Sequence, residues 1–294
     1  MSASVINTNI ASINAQRSLA KTGSALQSAM ERLSSGLRVN TAKDDAAGLA
    51  IADRMTSQIR GMTVATRNAN DGISMSQTAE SAMGQITDLF QRMRDLAVQG
   101  RNSAAVSEDD RRKMNEEFLQ LGKEVKRIVD NTSYNQRKVL GGALSNVKFQ
   151  VGWSTAADNQ ITISVNAFTG VSGVSKLFGD QMSIGIATSA ASTSATATSV
   201  ESMIGSVINA LDLAIGKVDT YRSKLGAVQN RFTMTITNLE AAIEAQSAAR
   251  SRILDADFAS ETANLARAQV LQQAGTAMLA QANQQPSQVL TLLK

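Results

Sequence analysis

Lys43, Asp44 and Asp45 set two carboxylates beside an ammonium group, the residue types of a general acid and base pair. Adjacent residues do not share a helix face, however, and no nucleophile, histidine or phosphate-cradling glycine motif accompanies them. The cluster therefore reads as charge pairing or helix capping at a junction. The chain as a whole holds no cysteine and no histidine. Disulfides, thiol nucleophiles, Cys/His zinc sites and a histidine base are excluded together, and no carboxylate spacing asks for another metal. The expectation is a protein that is not an enzyme, with no catalytic, cofactor-binding or metal-binding residues and no cofactor.

Other residues suit recognition rather than reaction. Arg92 and Leu96 stand at i, i+4, and an arginine beside an apolar anchor has the make-up of an interface centre, although composition alone reads them as a solvated charge and a core leucine. The formal charge is +4 across 294 residues. It is dispersed, as in Glu108, Asp109, Asp110, Arg111, Arg112 and Lys113, which is a solubility pattern and not a nucleic-acid footprint. The opening MSASVINTNIASINAQ lacks the basic flank and apolar run of a secretory signal, and no stretch could span a bilayer, so membrane insertion is not expected. These signals alone imply a cytoplasmic protein, unless a dedicated export apparatus reads the chain another way.

The elements that would position these residues are helices. Aromatics make up only 3% of a chain that is 43% apolar, and its single proline is Pro286, a composition for helix-on-helix packing without interruption. Residues 1 to about 40 carry Ile6, Ile10, Ile13, Leu19, Leu26, Met30, Leu33 and Leu37, mostly at intervals of three, four or seven. The C-terminal segment carries Leu265, Ala268, Leu271, Ala274, Met278 and Ala282 in the same manner. Such thin stripes are stable as helices only when buried, so the two ends are expected to meet each other or other copies of the chain.

Between the ends, Ile86, Leu89, Met93 and Leu96 mark one helical face, and Phe118, Leu121, Val125 and Ile128 another. Ser107, three residues before Asp110, has the form of an N-cap. Val147, Phe149 and Val151 alternate with polar residues, as do Ile161, Ile163 and Val165, which predicts a β-hairpin. The run TSAASTSATATS over 188–199 reads as a surface loop that could carry O-linked sugars. Helical spacing returns with Leu211, Ile215, Val218, Leu225, Val228, Phe232, Ile236, Leu239 and Ile243.

Several segments carry a family resemblance. LSSGLRVNTAKDDAAGLAIADRM from Leu33 closely resembles the N-terminal signature of bacterial flagellins. QRMRDLAVQ from Gln91 resembles their receptor-recognition helix, and FQVGW from Phe149 with the following QITISV resembles the hairpin of their core. DTYRSKLGAVQNRF from Asp219 continues through 248–253 and ends in ARAQVLQQAGTAMLAQANQ from Ala266. Gln285 departs from the apolar residue that many relatives carry before the proline.

The resemblance implies a mainly α fold, with long antiparallel helices forming a coiled-coil or helical-bundle rod and a small β-hairpin near the fold-back point. It divides the chain into a terminal filament-core segment 1–44, a rod segment with the hairpin 45–165, a short variable region 166–204, a returning rod helix 205–254 and a second filament-core segment 255–294. It implies a secreted, extracellular subunit that polymerises into the flagellar filament for motility and is exported without a cleaved signal peptide. Its partners would be further copies of itself, the flagellar export apparatus with an export chaperone, the filament cap and junction proteins, and the host Toll-like receptor that detects flagellin. Ile6, Ile10, Ile13, Leu33, Leu271 and Met278 are the expected polymerisation interface, and Arg92, Leu96 and Glu117 the expected receptor contacts, with Glu116 a competitor for the last. The alternative within the same appendage is a hook–filament junction protein.

Overall fold

The computed structural model describes residues 8–102, 106–141, 146–164 and 197–291. Five helices dominate: α1 (Ile10–Ser35), α2 (Ala46–Gly100), α3 (Glu108–Asn131), α4 (Ala197–Leu254) and α5 (Phe258–Thr291). Two antiparallel strand pairs lie between α3 and α4, β1 (Ser133–Tyr134) with β2 (Arg137–Lys138) and β3 (Val147–Gln150) with β4 (Gln160–Ile163). The chain divides into two compact units, one of Met1–Ile59 with Glu244–Lys294 and the other of Arg60–Ile243.

The central unit has a close-packed core. Along α2, Met83, Ile86, Phe90, Met93 and Ala97 recur at three and four residues and are fully buried. Phe118 and Val125 of α3, and Ile204, Leu211, Val218, Leu225 and Phe232 of α4, close the same cluster. The expected hairpin is present, with Val147 opposite Ile163 and Phe149 opposite Ile161. Its apolar side packs on this core: Phe149 meets Phe232 edge to face at 5.6 Å between centroids, and Asn68 Nδ2 donates to the Gln150 carbonyl at 3.0 Å. Gly72 permits the closeness, since a Cβ there would lie 2.6 Å from Phe232 Cζ.

The short β1–β2 pair was not expected from the sequence. Its two turn residues, Asn135 and Gln136, both have positive φ, the geometry that lets a two-residue turn follow strand twist. Asparagine tolerates that region and glutamine does so rarely, so the turn lacks the usual asparagine–glycine signal.

The terminal unit is built differently. Helices α1 and α5 run antiparallel. α1 turns inward Ser12, Ala15, Leu19, Thr22, Leu26, Ala29 and Leu33, a strict alternation of three and four residues. From α5 the buried or half-buried set is Glu261, Leu265, Ala268, Gly275, Leu279 and Ala282. Leu19 reaches the open Gly275, where a Cβ would lie 3.3 Å from its Cδ1.

This seam corrects the stripe expected from spacing. Ile10, Ile13, Met30, Leu271 and Met278 lie outside it, because the inward alternation of three and four residues runs through Leu19, Leu26 and Leu33 of α1 and Leu265 and Leu279 of α5 and leaves these neighbours on the flanks. Ile6 lies outside the described residues, as do Val165 and 188–196 of the Ser/Thr/Ala run; 197–199, expected in a loop, begin α4.

Candidate interaction surfaces

The polar turn between α1 and α2 is organised by the carboxylates that first suggested chemistry. Asp44 accepts hydrogen bonds from the Thr41 and Asn40 amides and from the Thr41 hydroxyl. The Thr41 amide is the foremost cause that holds this carboxyl below its ordinary value. Asp45 accepts from the Gly48 amide at 2.8 Å and so caps the start of α2. A Cβ on Gly48 would collide with that carboxylate. Capping, one of the two roles expected of the cluster, is therefore present, with the two acids serving different turns.

Beside this turn, α1 ends on Gly36 in the left-handed region at φ 71°. The backbone then bridges to the α4–α5 junction, Leu37 pairing with Asp255 and the Arg38 amide donating to the Leu254 carbonyl at 2.6 Å. At the far end of the helix pair, Asn9 has two roles. Its Oδ1 accepts from the Ser12 amide and caps α1, and its Nδ2 donates to the Ala282 carbonyl at 2.7 Å. Ser12 Oγ, 7% exposed, donates to Asn283 Oδ1 at 2.8 Å. Arg32 faces Glu261 at 3.9 Å along the same seam.

The seam leaves an apolar exterior. Ile10 is 63% exposed and Met278 64%, and Ile13, Met30, Phe258, Val270 and Leu271 are exposed as well. Leu33 is half-buried within the seam. Val39 is the largest fully buried apolar side chain of this unit among the described residues, whereas the central unit buries phenylalanines, methionines and leucines. Among the described residues, seven large apolar side chains are thus exposed along this one helix pair.

The central unit presents a charged surface at the expected receptor helix. Arg92 Nε donates to Glu117 Oε1 at 2.9 Å and Nη2 lies 2.7 Å from the same oxygen, so the structure selects Glu117 over Glu116 as its partner. Two residues on, Arg94 pairs with Asp212 of α4 at 2.6 Å. The two arginines flank the buried stripe of α2 and tie it to α3 on one side and α4 on the other. Arg94 and Asp212 escaped the sequence reading because 118 residues separate them.

Leu96 is not part of that surface. It is 2% exposed and belongs to the core. Arg92 and Leu96 are neighbours on the helix, but the edge of the buried stripe falls between them: Met93 and Ala97 are buried on either side of Leu96. The core-leucine reading that composition favoured describes its environment.

Among the described residues no group of acidic side chains is placed to hold a metal ion, and no helix is long and apolar enough to cross a membrane. Fold and surfaces together define a long-helix structural subunit, well packed in its central unit and apolar on the outside of its terminal one. Family models for the bacterial flagellin N-terminal helical region and C-terminal helical region match residues 6–145 and 208–293. A flagellin of Halalkalibacterium halodurans is 42% identical over 292 residues, covering 99% of this chain and all of that one. Flagellin B of Vibrio cholerae is 35% identical over 372 aligned residues, covering 98% of this chain and 99% of its own. A crystal structure of Bacillus cereus flagellin is similar with a TM-score of 0.44 at 22% identity, covering 59% of this chain and 88% of that one. This chain belongs to the bacterial flagellins, a family of filament structural subunits. The Vibrio alignment is longer than the 294 residues here, in keeping with a reduced central region.

Proposed function

We propose that this chain polymerises through the outer faces of its terminal helix pair into a filament that serves motility. One observation carries the reading: α1 and α5 close their own seam with leucines and small residues and leave Ile10, Ile13, Leu271 and Met278 exposed. Head-to-tail contacts between unlike surfaces generate open helical polymers when the rotation from copy to copy does not close into a ring. Ile6 belongs to the same proposed interface and Leu33, half-buried in the seam, supports it from within, with 1–44 and 255–294 as the filament-core segments. In this reading 45–165 and 205–254 are the rod segments and 166–204 is the variable region. Passage through a dedicated export apparatus with its chaperone, and contacts with cap and junction proteins, belong to the same proposal.

The Arg92–Glu117 pair is proposed as the polar centre of the surface that the flagellin-detecting Toll-like receptor reads. Leu96 then supports the helix from within, rather than anchoring the receptor. Replacing Ile10 and Ile13 by serine together should abolish seeded elongation while leaving the circular dichroism of the subunit unchanged. Elongation at the native rate would overturn the interface, and short capped assemblies in electron micrographs would point to the junction protein instead.

A further inference from the structure

The chain has no cysteine, so the thiol that ordinarily intercepts oxidants is missing, and its 12 methionines are the most readily oxidised sulfur it has. The structure sorts the described ones sharply. Met62, Met75, Met83 and Met93 are buried in the central unit, the last two completely. Met30, Met203, Met234 and Met278 are at least half exposed, and of these Met30 and Met278 stand on the outer faces of the terminal helix pair. Thioether oxidation follows exposure, so a mild oxidant reaches these four while the core is spared, and two of the four lie on the proposed polymerisation surface.

We infer that Met30 and Met278 are oxidative modification sites that control whether a subunit can join the polymer. The reaction is a two-electron oxygen transfer from a hydroperoxide: the sulfur lone pair attacks one peroxide oxygen, the O–O bond breaks, and the products are methionine sulfoxide and, from hydrogen peroxide, water. A flexible apolar side chain becomes polar with a strong acceptor oxygen. On a face that must lose its water to bind the next subunit, that oxygen is desolvated without a donor. A free subunit is therefore disabled, while one already in the filament has these sulfurs covered. The inference rests on the proposed polymerisation surface, and it makes oxidation a check on incoming subunits rather than on standing filaments.

The test treats native subunits with dilute hydrogen peroxide, maps sulfoxide by peptide mass spectrometry and measures elongation from native seeds. Met30, Met203, Met234 and Met278 should be oxidised while Met83 and Met93 are not, with unchanged circular dichroism; the leucine variant below keeps Met203 and Met234 oxidisable and so isolates the terminal pair. Elongation should slow about tenfold, the factor that about 1.4 kcal/mol of desolvation cost produces. The Met30→Leu/Met278→Leu chain, similar in volume and polarity, should elongate normally and keep doing so after peroxide. In the native chain, methionine sulfoxide reductases for both epimers should restore elongation. Normal elongation by subunits carrying both sulfoxides overturns the inference, as does equal peroxide sensitivity of the leucine variant or failure of the reductases to restore it. The polymerisation surface itself is judged separately, by the Ile10→Ser/Ile13→Ser chain.

Discussion

Arg92 and Leu96 are four residues apart and have opposite energetics. Arg92 and Glu117 are each about half exposed, so their ion pair contributes at most about 1 kcal/mol to stability. Leu96→Ala removes a side chain from a packed core and should cost about 2–5 kcal/mol. Chemical denaturation should therefore show Arg92→Ala near native and Leu96→Ala clearly destabilised. A signalling assay that uses only Leu96 variants would confound recognition with folding. At the head of α3, the Ser107 hydroxyl donates to Asp110 and is the foremost cause holding that carboxyl below its ordinary 3.8. A depressed folded value stabilises the native state above the unfolded pKa and loses that contribution as pH falls through the folded one. Protection factors in the first turn of α3, corrected for intrinsic exchange, should fall below about pH 4 in the native chain. In Asp110→Asn that fall should be weaker.

Among the elements, two of the glycines in α2 have opposite roles. Gly72→Ala gains up to about 1 kcal/mol of helix propensity but drives a methyl into Phe232, and overpacking of that kind costs about 1–3 kcal/mol. The clash should win, with thermal unfolding at a lower temperature than native. Gly84 has nothing within 4 Å of a built Cβ, so Gly84→Ala should raise it. Neither outcome was legible in the sequence, where both are glycines within an unbroken helical pattern. The hairpin was legible, because alternating apolar residues leave one face to bury. The β1–β2 turn was not, since Gln136 adopts positive φ without a residue type that announces it.

At the scale of the whole molecule, the central unit has its own aromatic and aliphatic core, while the terminal pair relies on a thin seam, a backbone bridge at one end and the Asn9, Ser12, Ala282 and Asn283 clasp at the other. Deleting 1–44 or 255–294 should abolish polymerisation and leave the central unit folded, as read by circular dichroism and Trp153 fluorescence. Polymerisation of a chain lacking both segments would remove the terminal pair from the interface. The sequence by itself determined the helical architecture and the hairpin, because periodicity is a local property of the chain. It also carried the flagellin resemblance in its terminal segments. Only the tertiary structure decided which part of each apolar stripe faces inward. Spacing places residues at angles around a helix, but the volume offered by the neighbouring helix decides which angles are buried. That is why Ala29 and Gly275 occupy the terminal seam, Ile10 and Met278 remain outside it, and Leu96 lies within the core.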